Sequence, residues 1–278
     1  MGKMEKQFKG SIELTLFNVV IQPEKLQSAE RYEQLFEKIK EKEISYLTYG
    51  DKATQLYTLK VWDGMLYGQL INYTVLTSTS WFNSKSNIIE PYSVNPDMHP
   101  NPRTWEFFFF PETHRLAVIS KASTSQIIKY FDFAFAQVVD EEEDEQVQFN
   151  VISSISSIEK IFTTPDLTSL EIKLHYSNND SDDDWDSAID NSMKDSDTRS
   201  ATLTLNGSKK SPLKISDDSL IGGFLNLSRK NGSFKATYYD RKKRRVISSS
   251  SVPEKKTILY KDESNMLDSI KAFLAKFK

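Results

Sequence analysis

From Ser169 to Tyr176 the chain alternates without a break. Leu170, Ile172, Leu174 and Tyr176 fall on one side, and Ser169, Glu171, Lys173 and His175 on the other. Successive side chains of a strand point to opposite faces, so this segment is a strand with one apolar and one polar face. Ile12, Leu14 and Leu16 alternate with Ser11, Glu13 and Thr15 in the same way, and Gln22-Pro23 ends that strand because proline has no N–H for the ladder. Helical periodicity is equally plain elsewhere. Tyr32, Leu35, Phe36 and Ile39 share one face of a helix that starts at about Ser28. Ile127, Ile128, Phe131, Ala134, Phe135 and Val138 predict a second, central helix from about Ser125.

The connections carry turn chemistry. Asp63-Gly64 between Leu59–Trp62 and Met65–Tyr67 predicts a hairpin, because both turn positions want positive φ. Trp105–Phe110 and Leu116–Ile119 flank Pro111-Glu112-Thr113-His114 as a second hairpin. Asn83 to Arg103, with four prolines, predicts a long loop. Further on come a strand from Val147 to Ile152 and a helix from Ser154 that stops at Thr163-Thr164-Pro165-Asp166. A strand from Ala201 to Leu205 follows, then a helix from Asp217 to Ser228 with Asn231-Gly232 as its left-handed cap. Ser264 is the expected N-cap of a last helix carrying Leu267, Ile270, Leu274 and Phe277.

Strands and helices are mixed without a regular βαβα rhythm, which implies an α+β fold. The 278 residues fit two domains of ordinary size, about 1–146 and 147–278. A ferredoxin-like or split β-α-β arrangement is the expectation for each half. The second half has an acidic insert at 178–198, where Trp185, Ile189 and Met193 predict one weak amphipathic helix, and a basic hairpin at 233–250.

Composition excludes several functions. There is no cysteine, so disulfides, thiol nucleophiles and thiolate metal sites are absent. Met1 to Lys9 is polar, and no stretch approaches the roughly 20 apolar residues of a membrane span. A cytoplasmic protein with no membrane contact is expected. With nine glycines and no G-x-S-x-G, H-E-x-x-H or phosphate-loop motif, a non-catalytic protein without cofactor or metal is expected. Asn206-Gly207-Ser208-Lys209-Lys210-Ser211 has only a superficial likeness to a phosphate loop.

Charge points to a surface. The chain totals −3, yet Asp140 to Glu145 is an unbroken run of six carboxylates, and Arg229 to Lys261 holds eleven Lys/Arg against two acids. Acidic runs of this kind are expected to stay solvated. The basic residues Arg229, Lys230, Lys235, Arg241, Lys242, Lys243, Arg244 and Arg245 are candidates to neutralise the phosphates of DNA or RNA, with Phe234, Tyr238 and Tyr239 beside them for stacking. The same charge also suits an acidic protein partner, docking of the chain's own acidic insert, or a solvated tip. A protein-interaction subunit or inhibitor, with the aromatic-rich first half as its interface, is the alternative.

Two weaker patterns point to metal chemistry. Asp166, Glu171 and Lys173 approach the Pro-Asp…Glu-x-Lys signature of Mg²⁺-dependent restriction-type nucleases, with few residues between Asp166 and Glu171 for the usual turn. Asp180-x-Asp182-Asp183-Asp184 lacks the glycine and the closing Glu of a calcium loop. His99, His114 and His175 are scattered, and nothing in sequence joins them to a nucleophile.

The second half resembles a bacterial family of unknown function associated with phage-defence and prophage genes. The resemblance lies in Ser157-Ile158-Glu159 through Pro165, Leu170-Glu171-Ile172, Asn231-Gly232-Ser233-Phe234 and Ser249-Ser250-Ser251-x-Pro253, and covers residues 150 to 255. It implies a context, conflict between bacterium and phage, and no catalytic residue.

Overall fold

The computed structural model describes residues 10–76, 80–91, 95, 97–175, 184–196 and 198–276. The first half runs β1 (Gly10–Gln22), α1 (Ala29–Glu41), β2 (Ser45–Tyr49), β3 (Lys52–Trp62), β4 (Met65–Thr74), β5 (Ser80–Asn83), β6 (Ile88–Pro91), β7 (Arg103–Phe110), β8 (Arg115–Ile119) and α2 (Thr124–Ala136). Then follow β9 (Gln146–Val151), α3 (Ile155–Thr163), β10 (Leu167–His175), α4 (Asp184–Asp195), β11 (Ser200–Asn206), α5 (Leu220–Asn231), β12 (Gly232–Asp240), β13 (Lys243–Ser248), β14 (Lys255–Tyr260) and α6 (Glu263–Leu274).

The larger sheet is antiparallel throughout and has the order β14-β1-β8-β7-β4-β3-β2. Strand β1 is long enough for one edge to hold two partners in succession, β14 along Gly10 to Thr15 and β9 along Phe17 to Gln22. The other edge takes β8. Helix α1 carries the chain from β1 to the far edge at β2, and a meander returns it.

Both faces of this sheet are covered, which explains the unbroken Phe107-Phe108-Phe109-Phe110 run. Phe107 and Phe109 join Phe17, Val19 and Ile21 beneath α1 and α2. Phe108 and Phe110 join Leu14 and Leu16 beneath α6, against Ile270 and Leu274. A strand buried on both sides reads as a continuous apolar run, without alternation. Helix α1 follows its sequence pattern, with Tyr32, Leu35, Phe36 and Ile39 buried and the Ser28 hydroxyl accepting from the Arg31 N–H at 3.1 Å.

The smaller sheet, β11-β10-β12-β13, belongs to the second half. β11 and β12 each lie antiparallel to β10, so β11-α5-β12 is a split β-α-β unit about a central strand. Leu170, Ile172, Leu174, Phe234 and Ala236 pack under α3, α4 and α5 with Ile158, Ile189, Met193 and Leu225. The opposite face, which carries Glu171, Lys173 and His175, has no helix on it from this group.

Several elements depart from expectation. The proline-rich stretch expected as a loop includes β6, which pairs with β5 just before it, and β14 forms an edge strand that its sequence does not advertise, since four of its six residues are exposed. Asp262, not Ser264, caps α6, accepting from the Asn265 N–H at 2.9 Å. Gly232 is extended at φ 167, so it is no left-handed cap. Glycine is needed there because a Cβ would stand 2.0 Å from the Lys173 carbonyl oxygen on β10.

The acidic run is an ion-pair clasp, where a solvated tail was expected. Helix α2 stops at Ala136, and Glu145 turns inward with its side chain fully buried. Arg31 of α1 grips it with two bonds, at 2.7 and 2.5 Å, and the Asp140 N–H donates to it at 2.9 Å. Lys25 pairs with Glu143 at 2.9 Å and Arg199 with Asp144. The run therefore ties α1 to the approach to β11.

Candidate nucleic-acid interface

The basic ribbon is β12–β13, closed by Arg241-Lys242 with both residues at positive φ (47 and 68). Strand alternation divides its charges between two faces. Lys235, Thr237 and Tyr239 stand opposite Ser248, Val246 and Arg244 on the uncovered face. Tyr238 opposite Arg245 and Asp240 opposite Lys243 lie on the other, where Lys160 of α3 stands 5.8 Å from the Tyr238 ring. All five residues from Arg241 to Arg245 are exposed, as is Lys235. Among the described residues no carboxylate forms an ion pair with any of these six.

Two expected members of the track are elsewhere. Lys230 is 7% exposed and Arg229 is half-buried, both in the last turn of α5. Their backbone carbonyls are engaged, that of Lys230 by Asn18 of β1 at 3.2 Å and that of Arg229 by the Ser153 N–H at 3.0 Å. Nearness in sequence does not bring them to the ribbon, because the helix end is wedged against the larger sheet. Phe234 is also buried, in the core of the small sheet.

Lys209 takes a place that sequence did not give it. The loop after β11 folds on itself through paired backbone bonds between Ser208 and Ser211 of 2.9 and 3.1 Å. This sets the Lys209 ammonium 4.0 Å over the Tyr239 ring. Lys209, Lys235, Thr237, Tyr239 and Arg244 line a shallow groove of about 390 Å³ along the uncovered face. The signal was the Lys209-Lys210 pair in the segment with a superficial likeness to a phosphate loop.

At Lys235 and Glu171 the groove opens into a larger cleft of about 590 Å³, bordered by α2, by β9 and by the ends of β10 and β12. Lys129 and Asp132 face it from α2, Gln148 and Asn150 from β9, and Lys173 and His175 from β10. Asp132 is exposed to water at the cleft, with protein atoms crowded around its carboxyl. Desolvation pushes its carboxyl up to about 6, and the nearby Lys173 ammonium opposes this. Desolvation, and then the Lys173 charge, push the His175 imidazole down to about 4.

The nuclease-like pattern does not assemble into a metal site among the described residues. Asp166 is exposed at the start of β10, and from Leu167 to Glu171 the strand climbs about 13 Å. Among the described residues no group of three or more His, Asp or Glu is placed to hold a metal ion. The acidic Asp180-x-Asp182-Asp183 stretch lies outside the described residues; α4, which follows it, packs on α5 at the covered face of the small sheet, away from Lys235. The histidines stay apart. His99 stacks on Tyr73 at 4.5 Å, and His114 bonds the buried Tyr32 hydroxyl at 2.7 Å. Phe107 to Phe110 of the first half are core; the exposed apolar side chains of that half include Phe82 and Ile89 on β5–β6, 62% and 75% exposed, and Tyr49 on β2, 73% exposed.

Fold and site together define an α+β protein with a lysine- and arginine-lined sheet face that opens into a polar cleft. No helix among the described residues is long and apolar enough to cross a membrane. Residues 11–277 match the family described as domain of unknown function (DUF4747), and the chain belongs to that family. The match spans both halves. No curated protein matches the chain.

Proposed function

We propose that this protein binds single-stranded DNA or RNA along the uncovered face of its small sheet, without cleaving it, and that it acts in the cytoplasm of a bacterium in defence against phage or within a prophage. One observation carries the reading: Lys235, Arg244 and the Arg241-Lys242 tip are exposed and in no ion pair with a carboxylate among the described residues, beside Tyr239 with Lys209 over its ring. Cations that track a backbone beside a ring on which a base can stack are the two elements of single-strand binding. A duplex is less well served, since alternation sends Lys243 and Arg245 to the other face of the ribbon.

Fluorescence anisotropy with labelled oligo-dT, oligo-U and a duplex tests this. Single strands should bind with a log–log salt slope of about −0.7 for each phosphate neutralised. Tyr239→Ala, Lys235→Ala and Arg244→Ala should each weaken binding at least threefold. Salt-insensitive binding, or none, overturns the proposal, and degradation of the strand on adding Mg²⁺ overturns its non-catalytic part. Phage plating on cells with and without the protein tests the cellular role.

The exposed β5–β6 hairpin supports the second reading, a protein-interaction subunit or inhibitor. Its apolar side chains stand in water, and exposed apolar patches of this sort mark docking surfaces. Phe82→Ser/Ile89→Ser should then abolish association with the partner and leave oligonucleotide binding unchanged.

A further inference from the structure

The row of cations on the uncovered face does not stop at Lys235. Lys173 and Lys129 continue it into the cleft, where three ammonium groups face Glu171 and Asp132. Both carboxylates are ionised at neutral pH, Asp132 for the most part even with its carboxyl pushed up to about 6, and the three lysines exceed them by one charge. Gln148 and Asn150 border the cleft from β9, but the Gln148 Oε1 and the Asn150 Nδ2 are shut off from water and so are out of reach of a ligand seated there.

What the cleft lacks narrows the ligand further. Its two phenylalanines are both held in core, Phe149 stacked on Phe17 at 5.0 Å and Phe131 at 4.7 Å and Phe234 in the core of the small sheet, which leaves the half-buried His175 imidazole as the other ring at its wall. Neither phenyl ring is free for a base to stack on. Lysines and the hydroxyls of Ser233, Ser248 and Ser250 instead form a seat for an oxyanion. About 590 Å³ suits a ligand of nucleotide size, small-molecule pockets spanning about 300–1,000 Å³. A terminal phosphomonoester carries about −1.5 to −2 at neutral pH, more than the single charge of an internal phosphodiester, so this seat favours a strand's end.

We infer that the cleft holds the terminal phosphate of a strand lying on the uncovered sheet face, with Lys173 and Lys129 on its oxygens. Lys129 has one donor engaged, with the Thr48 carbonyl at 3.3 Å, and two remain for the phosphate. Lys235 is the hinge of the arrangement, touching both the groove and the cleft. This inference rests on the nucleic-acid reading above, which supplies the strand.

The test uses the full chain and oligomers of one length and sequence ending in 5′-phosphate, 3′-phosphate or hydroxyls only. One phosphorylated end should bind about tenfold tighter than the hydroxyl-ended strand, and which end it is gives the strand's direction. Lys173→Ala should abolish that preference while changing the hydroxyl-ended affinity less than about threefold. Lys129→Ala should reduce the preference. Calorimetry with 5′-AMP, 3′-AMP and adenosine examines the cleft alone. Binding of a nucleotide but not of adenosine supports it, even if no oligomer binds and the ribbon reading falls. Equal affinity for all three ends, or a preference that survives Lys173→Ala, overturns it and leaves the ribbon reading standing.

Discussion

Two hairpins of this chain close with a two-residue turn at positive φ, and they use opposite chemistry. Asp63-Gly64 (φ 47 and 74) joins β3 to β4 with residues suited to that geometry; Arg241-Lys242 (φ 47 and 68) joins β12 to β13 with residues that are not. The left-handed region costs an L-residue with a long side chain about 1–2 kcal/mol, while Asn tolerates it and Gly is free of the penalty. Replacing the tip by Asn-Gly therefore removes strain at both positions. The gain is offset by roughly 0.5–1 kcal/mol because Gly loses more freedom on folding. Arg241→Asn/Lys242→Gly should stabilise the protein by about 1–2 kcal/mol, a rise of a few degrees in Tm for a chain of this size. It should also weaken oligonucleotide binding and make the salt slope shallower by about 1.4, two phosphate contacts at 0.7 each. Thermal melts and a salt series of anisotropy titrations on the same preparation read both effects. A lower Tm would refute the turn argument, and a higher Tm with an unchanged salt slope would refute the idea that charge is kept at the tip for binding.

Two further outcomes follow from buried and half-buried charges. Glu145→Ala leaves the Arg31 guanidinium, 19% exposed, without its carboxylate, and should cost about 3 kcal/mol in urea unfolding, whereas Lys25→Ala at an exposed pair should cost less than about 0.5. The cleft pair predicts a pH signature. Asp132, raised from 3.8 to about 6, holds more protons folded than unfolded in that window, so its contribution to stability falls as pH rises through it. His175, lowered from 6.5 to about 4, holds fewer protons folded, so its contribution rises with pH between those values and is lost in acid. The two oppose one another between about pH 4 and 6. Asp132→Asn should leave stability climbing with pH from 4 to 6.5, and His175→Gln should leave it declining from 4 to 6, as measured by Tm against pH.

Local patterns were the legible part of this fold. Periodicity gave α1 by Tyr32, Leu35, Phe36 and Ile39, and β10 by Leu170, Ile172 and Leu174, because each buries one face against a single neighbouring layer. Asp63-Gly64 gave its hairpin because turn geometry is decided within a few residues. Partners distant in sequence were not legible. β14 has little apolar content and exists because β1 offers it an edge. Glu145 looks like the end of a solvated tail until Arg31 is placed beside it, 114 residues away. Lys230 looks like part of a basic track until the end of α5 is seen against β1. The same holds for the site. The ribbon was visible as a run of charge, and its division into two faces follows from strand alternation. The cleft draws Asp132, Asn150 and Lys173 from three separate elements, and only the fold brings them together.

The double occupancy of the β1 edge sets an order of events. β1 leaves the ribosome long before β14, so half of its edge stays vacant until Lys255 to Tyr260 have been synthesised. Pairings over so long a stretch of chain are slow to form, and an unfilled strand edge invites other chains. Nascent or truncated forms that end before β14 should therefore lean on chaperones or self-associate, and adding back a peptide of residues 255–260 should quiet them.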